Sequence, residues 1–440
     1  MTTPKFELTD KIAAQAASIP VMYGHVDFSI VPERFAAAPD DETVLDPKFA
    51  SRRPELLGDS ARMALIKAYT MMGDNVADAY AALMPEYGFR RLVGMLDDAC
   101  DHGVEKVPNA PPELVRFIRE MERLPEWLDM KLIEEGARVE RNGYAHRAPY
   151  VIRGDLLATF MNKYSALPMA MTGTLTNSMA ARRANETVTF FTTTVLPGAL
   201  ARHGAGFKAA AKVRLMHSMV RFNALRRANH WDAKTYGIPI PQVDQMPAGL
   251  ISIFLLSQKV LRQGRTTFTP AERARCELAR YRCFLLGLPE ELLADTPQAI
   301  VDILLTRHAT LRKGFDDTCR ALVSATMAAD LTQDSSLASR THAWLEHGFA
   351  KVYFINNFMR GDKRAAAAVG VRLGVADYIG AVAAGVLIAS RMTAYAVAAR
   401  ISLLRDAADR SLVRKLTRQL ARYGHAEFAT NGDAYRPVHV

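Results

Sequence analysis

Cysteine is scarce in this chain: four in 440 residues, at positions 100, 276, 283 and 319. None of them forms Cys-x-x-Cys, which excludes a dithiol redox motif and the common zinc spacings. Cys-x-x-Cys-His is also missing, so a covalently attached haem is excluded. The amino terminus, MTTPKFELTDKIAAQ, lacks a charged region followed by an apolar run. A cytoplasmic protein with reduced thiols is therefore expected. The net charge is +10, from 56 Lys and Arg against 46 Asp and Glu, but the basic residues are scattered. Without a basic run interleaved with aromatics, no nucleic-acid partner is expected. Gly-x-Ser-x-Gly, Gly-x4-Gly-Lys-[Ser/Thr] and His-Glu-x-x-His do not occur, which removes the corresponding hydrolase, P-loop and zincin classes. The uncharged stretch 378–390 has thirteen residues, too few to span a bilayer. It fits a buried helix or a face lying on a membrane, so no transmembrane segment is expected and any membrane contact is peripheral.

What is present is a globular composition, 49% hydrophobic and 23% charged, ample for a packed core. Helical periodicity dominates. Ala61, Ala64, Leu65, Tyr69 and Met72 form one stripe over 60–82. Residues 150–181 fit two helices with a break near Leu167-Pro168, and Gly173 interrupts further on. TVTFFTTTV at 187–195 has strand propensity, yet its flanks are helical and no partner strand is evident, so a helix is expected. The loop 237–241 leads into a helix over 242–263. Thr269-Pro270-Ala271-Glu272 and Thr296-Pro297 are helix starts. The expected division is an irregular arm at 1–58, a helical domain at 59–424 and a tail at 425–440. His102 among Asp97, Asp98 and Asp101 fits an exposed helix end stopped by Gly103. HAWLEH at 342–347 misses the inverzincin spacing by one residue and fits a structural helix face.

One stretch carries a sharper signal. In KAAAKVRLMHSMVRFNALR, residues 208–226, Val213, Met216, Val220 and Ala224 recur at helical spacing. His217 sits beside that face, with Arg214 three residues before it and Arg221 four after. Two neighbouring cations favour a neutral imidazole, the form a metal takes as ligand. Haem accounts for the triplet: iron on His217, porphyrin on the apolar face, propionates on Arg214 and Arg221. The same residues also fit a core histidine with two arginines reaching to solvent.

RLMHSMVR, followed by YGIPIPQVDQMPAGLISIF at 236–254, resembles the latex clearing protein (rubber oxygenase) family, which includes the fungal mycophenolic acid biosynthesis oxygenase B. RLPEWLDMKLIEEGARV at 123–139 is similar to that family's Pro-x-Trp-aspartate segment, and TGTLTNSMAARRANET at 172–187 to its distal helix. The matched region covers roughly 110–310, with four segments in the family's order. The resemblance implies an all-α, multi-helical, globin-like domain with additional N- and C-terminal helices. It also implies a b-type haem, with His217 as the axial ligand of its iron. The twin-arginine signal of exported rubber-degrading members is missing from this sequence.

Arg183, Glu186 and Thr187 share a helical face, which by resemblance lies over the open side of the haem. There they would bind oxygen and move protons. The same spacing also fits an ion-pair face joining Arg182 or Arg183 to Glu186. Rubber-cleaving members carry a lysine where this chain has Glu186, and a glutamate on the preceding segment. Here no Asp or Glu occurs between Asp155 and Glu186, and the corresponding position is near Leu167. Three functions remain open: a haem b-dependent oxygenase using O2 on an apolar, alkene-containing substrate of isoprenoid or polyisoprene type; a haem or hydrophobic-ligand binding protein without turnover; and a helical scaffold.

Overall fold

The computed structural model describes residues 5–172, 175–227, 230–332 and 334–423. The expected tail at 425–440 and the expected interruption at Gly173 lie outside them. The fold is all-helical. Among the described residues, β pairing is limited to two isolated bridges, Phe35 with Leu311 and Thr43 with Arg312. The described chain divides into two compact units, one of residues 5–136 and 200–313, the other of 137–199 and 314–423.

In the first unit, helix starts follow their local chemistry. Thr269 and Glu272 form a reciprocal capping box before Pro270–Leu285. The Thr296 hydroxyl accepts from the Ala299 amide before Pro297–Thr310. Both devices satisfy amide groups that the first helical turn leaves unpaired. The stripe expected over 60–82 is interrupted: Ser60–Thr70 ends, and Asn75–Ala81 begins on the Asp74 side chain, which accepts from the Ala77 amide. Gly73 lies in the break, where a Cβ would stand 2.2 Å from the Tyr23 hydroxyl and 2.4 Å from an Asp78 oxygen. Any side chain there would collide with a buried polar cluster. The amino-terminal segment enters this core through Met22, Tyr23, Ala36 and Leu56, all fully buried. Arg34 donates to both Asp244 oxygens at 2.7 and 2.8 Å, and Arg307 adds a bond at 2.9 Å. Burial raises the Asp244 carboxyl, but the two guanidinium groups outweigh it and hold its pKa below the usual value.

In the second unit, TVTFFTTTV forms most of the last half of Asn177–Thr193, with Val188, Phe190 and Thr192 buried. Tertiary burial has overridden strand propensity. The expected break at Leu167-Pro168 falls earlier, between Ala148–Thr159 and Lys163–Met171. The Asn162 side chain accepts from the Tyr164 amide and starts a new helix there, while Pro168 sits inside that helix. The proline removes one intrahelical bond; the cap decides the boundary. Leu157, Phe160, Ala166, Leu322, Val323 and Phe354 belong to one core cluster. Arg153 pairs with Glu346 in a buried bidentate bridge, Nε to Oε1 at 3.0 Å and Nη2 to Oε2 at 2.9 Å. Glu346 of the HAWLEH segment is therefore a structural partner.

The stretch 378–390 belongs to a longer helix, Val375–Arg400. Gly380, Ala381, Ala384 and Ile388 are buried, but Val382 and Val386 are 67% and 66% exposed. The buried-helix alternative does not hold for this face. By length and composition the helix is long and apolar enough to cross a membrane. All four cysteines are buried and unpaired, with burial pushing each thiol up to about 12.

Candidate functional site

The helix Ala205–Leu225 is buried along most of its length. Arg214 and Arg221 lie two turns apart and both face the short helix Asn75–Ala81. Arg214 donates through Nε and Nη2 to the two oxygens of Asp74, the second bond at 2.9 Å. Arg221 holds Asp78 through Nε at 2.9 Å and Nη2 at 2.8 Å, and neither side chain is exposed. The Tyr23 hydroxyl donates to Asp78 at 2.5 Å. Burial lowers the Arg221 guanidinium and Asp78's charge raises it, with a net rise, so this arginine stays charged. Arg221 Nη1 also donates to the Ile240 carbonyl at 2.7 Å. Ile240 has φ of 47°, a conformation that a β-branched residue adopts only under constraint.

These contacts give both arginines carboxylate partners within the protein. Both guanidinium groups meet carboxylates of the protein in buried bidentate pairs. Turning either guanidinium away from its aspartate to reach a propionate would strip Asp74 or Asp78 of its countercharge inside the core, which costs several kcal/mol. The arginines instead fix the helix that carries His217.

His217 is half-buried, with Nδ1 3.1 Å from Gln245 Oε1. The hydrogen on that contact follows from the next two residues. Gln242 Nε2 donates to the carbonyls of Gly73 and Gly287, at 3.0 and 3.1 Å. Carbonyl oxygens only accept, so the Gln242 amide can face them only with its nitrogen. Its oxygen then accepts from Gln245 Nε2 at 2.9 Å, which leaves Gln245 Oε1 towards the imidazole. Nδ1 must carry the hydrogen, so in the neutral imidazole the ring lone pair is on Nε2. A histidine ligand with its other nitrogen donating to a fixed oxygen is the arrangement that orients an imidazole for a metal. Gln242 and Gln245 were not singled out from the sequence. Their i, i+3 spacing was visible there, but the backbone carbonyls that orient them come from distant parts of the chain.

In the second unit, Arg183, Glu186 and Thr187 share the helix Asn177–Thr193. Glu186 is 8% exposed and held on both sides: Arg182 Nε donates to Oε1 at 3.0 Å and Arg183 Nη1 to Oε2 at 3.1 Å. The ion-pair face foreseen as an alternative is therefore present. Thr187 Oγ1 donates to the Arg183 carbonyl at 2.8 Å, so its hydrogen is committed and its lone pairs remain as acceptors. Arg183 Nε is buried with no hydrogen-bond partner among the described residues, an arrangement that costs free energy unless a ligand or water meets it. Asp155, which sequence reasoning passed over, accepts from the Tyr353 hydroxyl at 2.8 Å. Burial raises its carboxyl to about 6. Leu167 is buried and supplies no acid on its helix.

Among the described residues, no group of three His, Cys, Asp or Glu side chains is placed to hold a metal. Asp97 and Asp101, near His102, bond Lys212 and Lys208 at 3.3 and 2.6 Å. A porphyrin brings four nitrogens of its own and asks one ligand of the protein, so the single His217 is chemically sufficient for haem iron.

Residues 144–422 match the family described as ER-bound oxygenase mpaB/B'/Rubber oxygenase, catalytic domain. That is more than half of the chain, and the chain belongs to this oxygenase family. A solved structure of latex clearing protein in the closed state is similar, with a TM-score of 0.55 over 80% of this chain and 91% of that one. The identity is 17%, so this likeness shows the fold alone. No curated protein matches the sequence.

Proposed function

We propose that the protein is a haem b-dependent oxygenase acting with dioxygen on an apolar, alkene-containing substrate of isoprenoid type. The observation that carries the reading is the tautomer of His217, set by the Gln242–Gln245 relay with its lone pair on Nε2. Family membership supplies the reaction class. When bound, the haem would supply the iron at which dioxygen is activated.

The chain's residues then have separate tasks. Gln245 keeps Nδ1 protonated and fixes the ring's rotation. Asp74–Arg214 and Asp78–Arg221 hold the His217 helix against Asn75–Ala81. Glu186 takes and returns the proton, with Arg182 and Arg183 holding its two oxygens in place. Arg183 Nε is a buried donor ready for an oxygen-bearing ligand, and Thr187 can accept from one.

The test is oxygen uptake by the haem-loaded protein with short isoprenoids and with polyisoprene, alongside mass analysis of products. Substrate-dependent uptake with carbonyl-containing cleavage products is expected. A haem-loaded protein that binds these compounds but consumes no oxygen would be a binding protein, and the oxygenase reading would fall.

A further inference from the structure

The helix Val375–Arg400 has two apolar faces, and only one is covered. Gly380, Ala381, Ala384 and Ile388 point inward, where Ala384 and Ile388 cluster with Tyr150, Leu345 and Phe349. On the other side Val375, Ile379, Val382, Val386 and Val397 are 77, 57, 67, 66 and 51% exposed. Their spacing of i, i+4, i+7, i+11 and i+22 keeps them on one line of the helix. Ile401, Leu403 and Leu404 extend the apolar surface past the helix end, with Leu403 90% exposed. An exposed apolar stripe of this length, interrupted by Ser390 and Thr393 between Val386 and Val397, marks a partner surface.

We propose that this face rests in the plane of an anionic lipid bilayer. Charge selects that occupant. Between residues 360 and 423 the chain has twelve Lys and Arg against four Asp and Glu. Arg360, Lys363, Arg364, Arg372, Arg400 and Arg405 are all exposed. A second copy docked by this face would set two strongly basic segments against each other; lipid phosphates and carboxylates complement them. An apolar face bordered by Lys and Arg is the pattern of helices that lie at the headgroup boundary.

The same structure argues against crossing. The helix is tied down along its length: Asp377 to Lys351 at 2.9 Å, the Met392 carbonyl to Asn142 at 2.9 Å, and Tyr395 to Ser411 at 2.8 Å. Its neighbour Ser402–Tyr423 carries Arg405, Asp406, Asp409, Arg410, Arg414, Lys415 and Arg418. Insertion across the bilayer would drag those ionised groups into hydrocarbon, or break every tie. Lying flat satisfies both faces. This inference stands independently of the haem reading, since it uses neither His217 nor Glu186.

The experiment is co-sedimentation of the full chain with vesicles of phosphatidylcholine and phosphatidylserine in equal parts, compared with pure phosphatidylcholine. Binding to the mixed vesicles is expected, weakened by salt and much weaker without phosphatidylserine. Val382→Asp with Val386→Asp should reduce partitioning by roughly tenfold or more, because two apolar contacts become repelled charges. Arg400→Gln and Arg405→Gln should each cost roughly fivefold, and only at low salt. All four positions are exposed, so circular dichroism should be unchanged. Failure of the wild type to sediment with the mixed vesicles would overturn the proposal, as would full binding by the doubly substituted valine variant. So would a dimer of the wild type in free solution that the valine substitutions dissociate, which would assign the face to a second copy.

Discussion

Arg221→Ala should lower the stability of the protein by about 3–5 kcal/mol, the cost of leaving a buried carboxylate without its countercharge. Asp78 is fully buried, and its oxygens are held by Arg221 and Tyr23. Without the guanidinium it must either protonate or admit water, and the Ile240 carbonyl loses its donor as well. Replacing both partners with apolar residues, Asp78→Leu with Arg221→Met, should recover much of the loss, because the uncompensated charge is then gone. Urea unfolding of the single and paired variants measures this directly. The experiment also decides between the two roles considered for Arg221. A propionate partner would lose haem affinity at little cost to the fold; a core ion pair loses the fold first. Near-native stability of Arg221→Ala, with weakened haem retention, would restore the propionate role.

Glu186→Gln should retain haem and overall stability but lose roughly 10²–10⁴-fold in turnover, the usual share of a positioned acid–base group. The amide has the volume of the carboxyl and keeps one oxygen to accept from Arg182 or Arg183, so the helix should persist. What it cannot do is take a proton at the oxygen that Arg183 orients. Arg182→Ala is the control: it removes one contact of the same carboxylate, leaves Arg183 on Oε2, and should change turnover far less. Wild-type turnover by Glu186→Gln, on a substrate that the enzyme accepts, would leave Glu186 as the partner of two arginines and nothing more.

What could be read from the sequence was what is encoded locally. The capping residues at Thr269 and Thr296 gave two helix starts because a cap acts within four residues. The His217 helix was legible from its apolar spacing. The partners of that helix were not: Asp74 and Asp78 lie about 140 residues away in the chain, and periodicity carries no information about which face meets which. Arg214 and Arg221 were expected to reach propionates or solvent; in the fold each pairs with an aspartate of the same unit. The break at Asn162 was missed because Pro168 is the louder signal, although one proline inside the helix costs a single backbone bond and the Asn162 cap sets the boundary. The outer face of Val375–Arg400 was ambiguous in principle, since an uncharged run has the same composition whether protein or lipid covers it. Exposure in the folded structure shows that the described residues leave this face uncovered.

Haem binding is tested most directly by the absorption and pyridine haemochrome spectra of the purified protein beside His217→Ala. A Soret band and one b-type haem per chain are expected in the wild type. In the variant the haem should be lost or its spectrum shifted, with recovery when free imidazole fills the vacated ligand position. A wild type that stays colourless after reconstitution with hemin, or a His217→Ala variant with the wild-type spectrum and haem content, would contradict it.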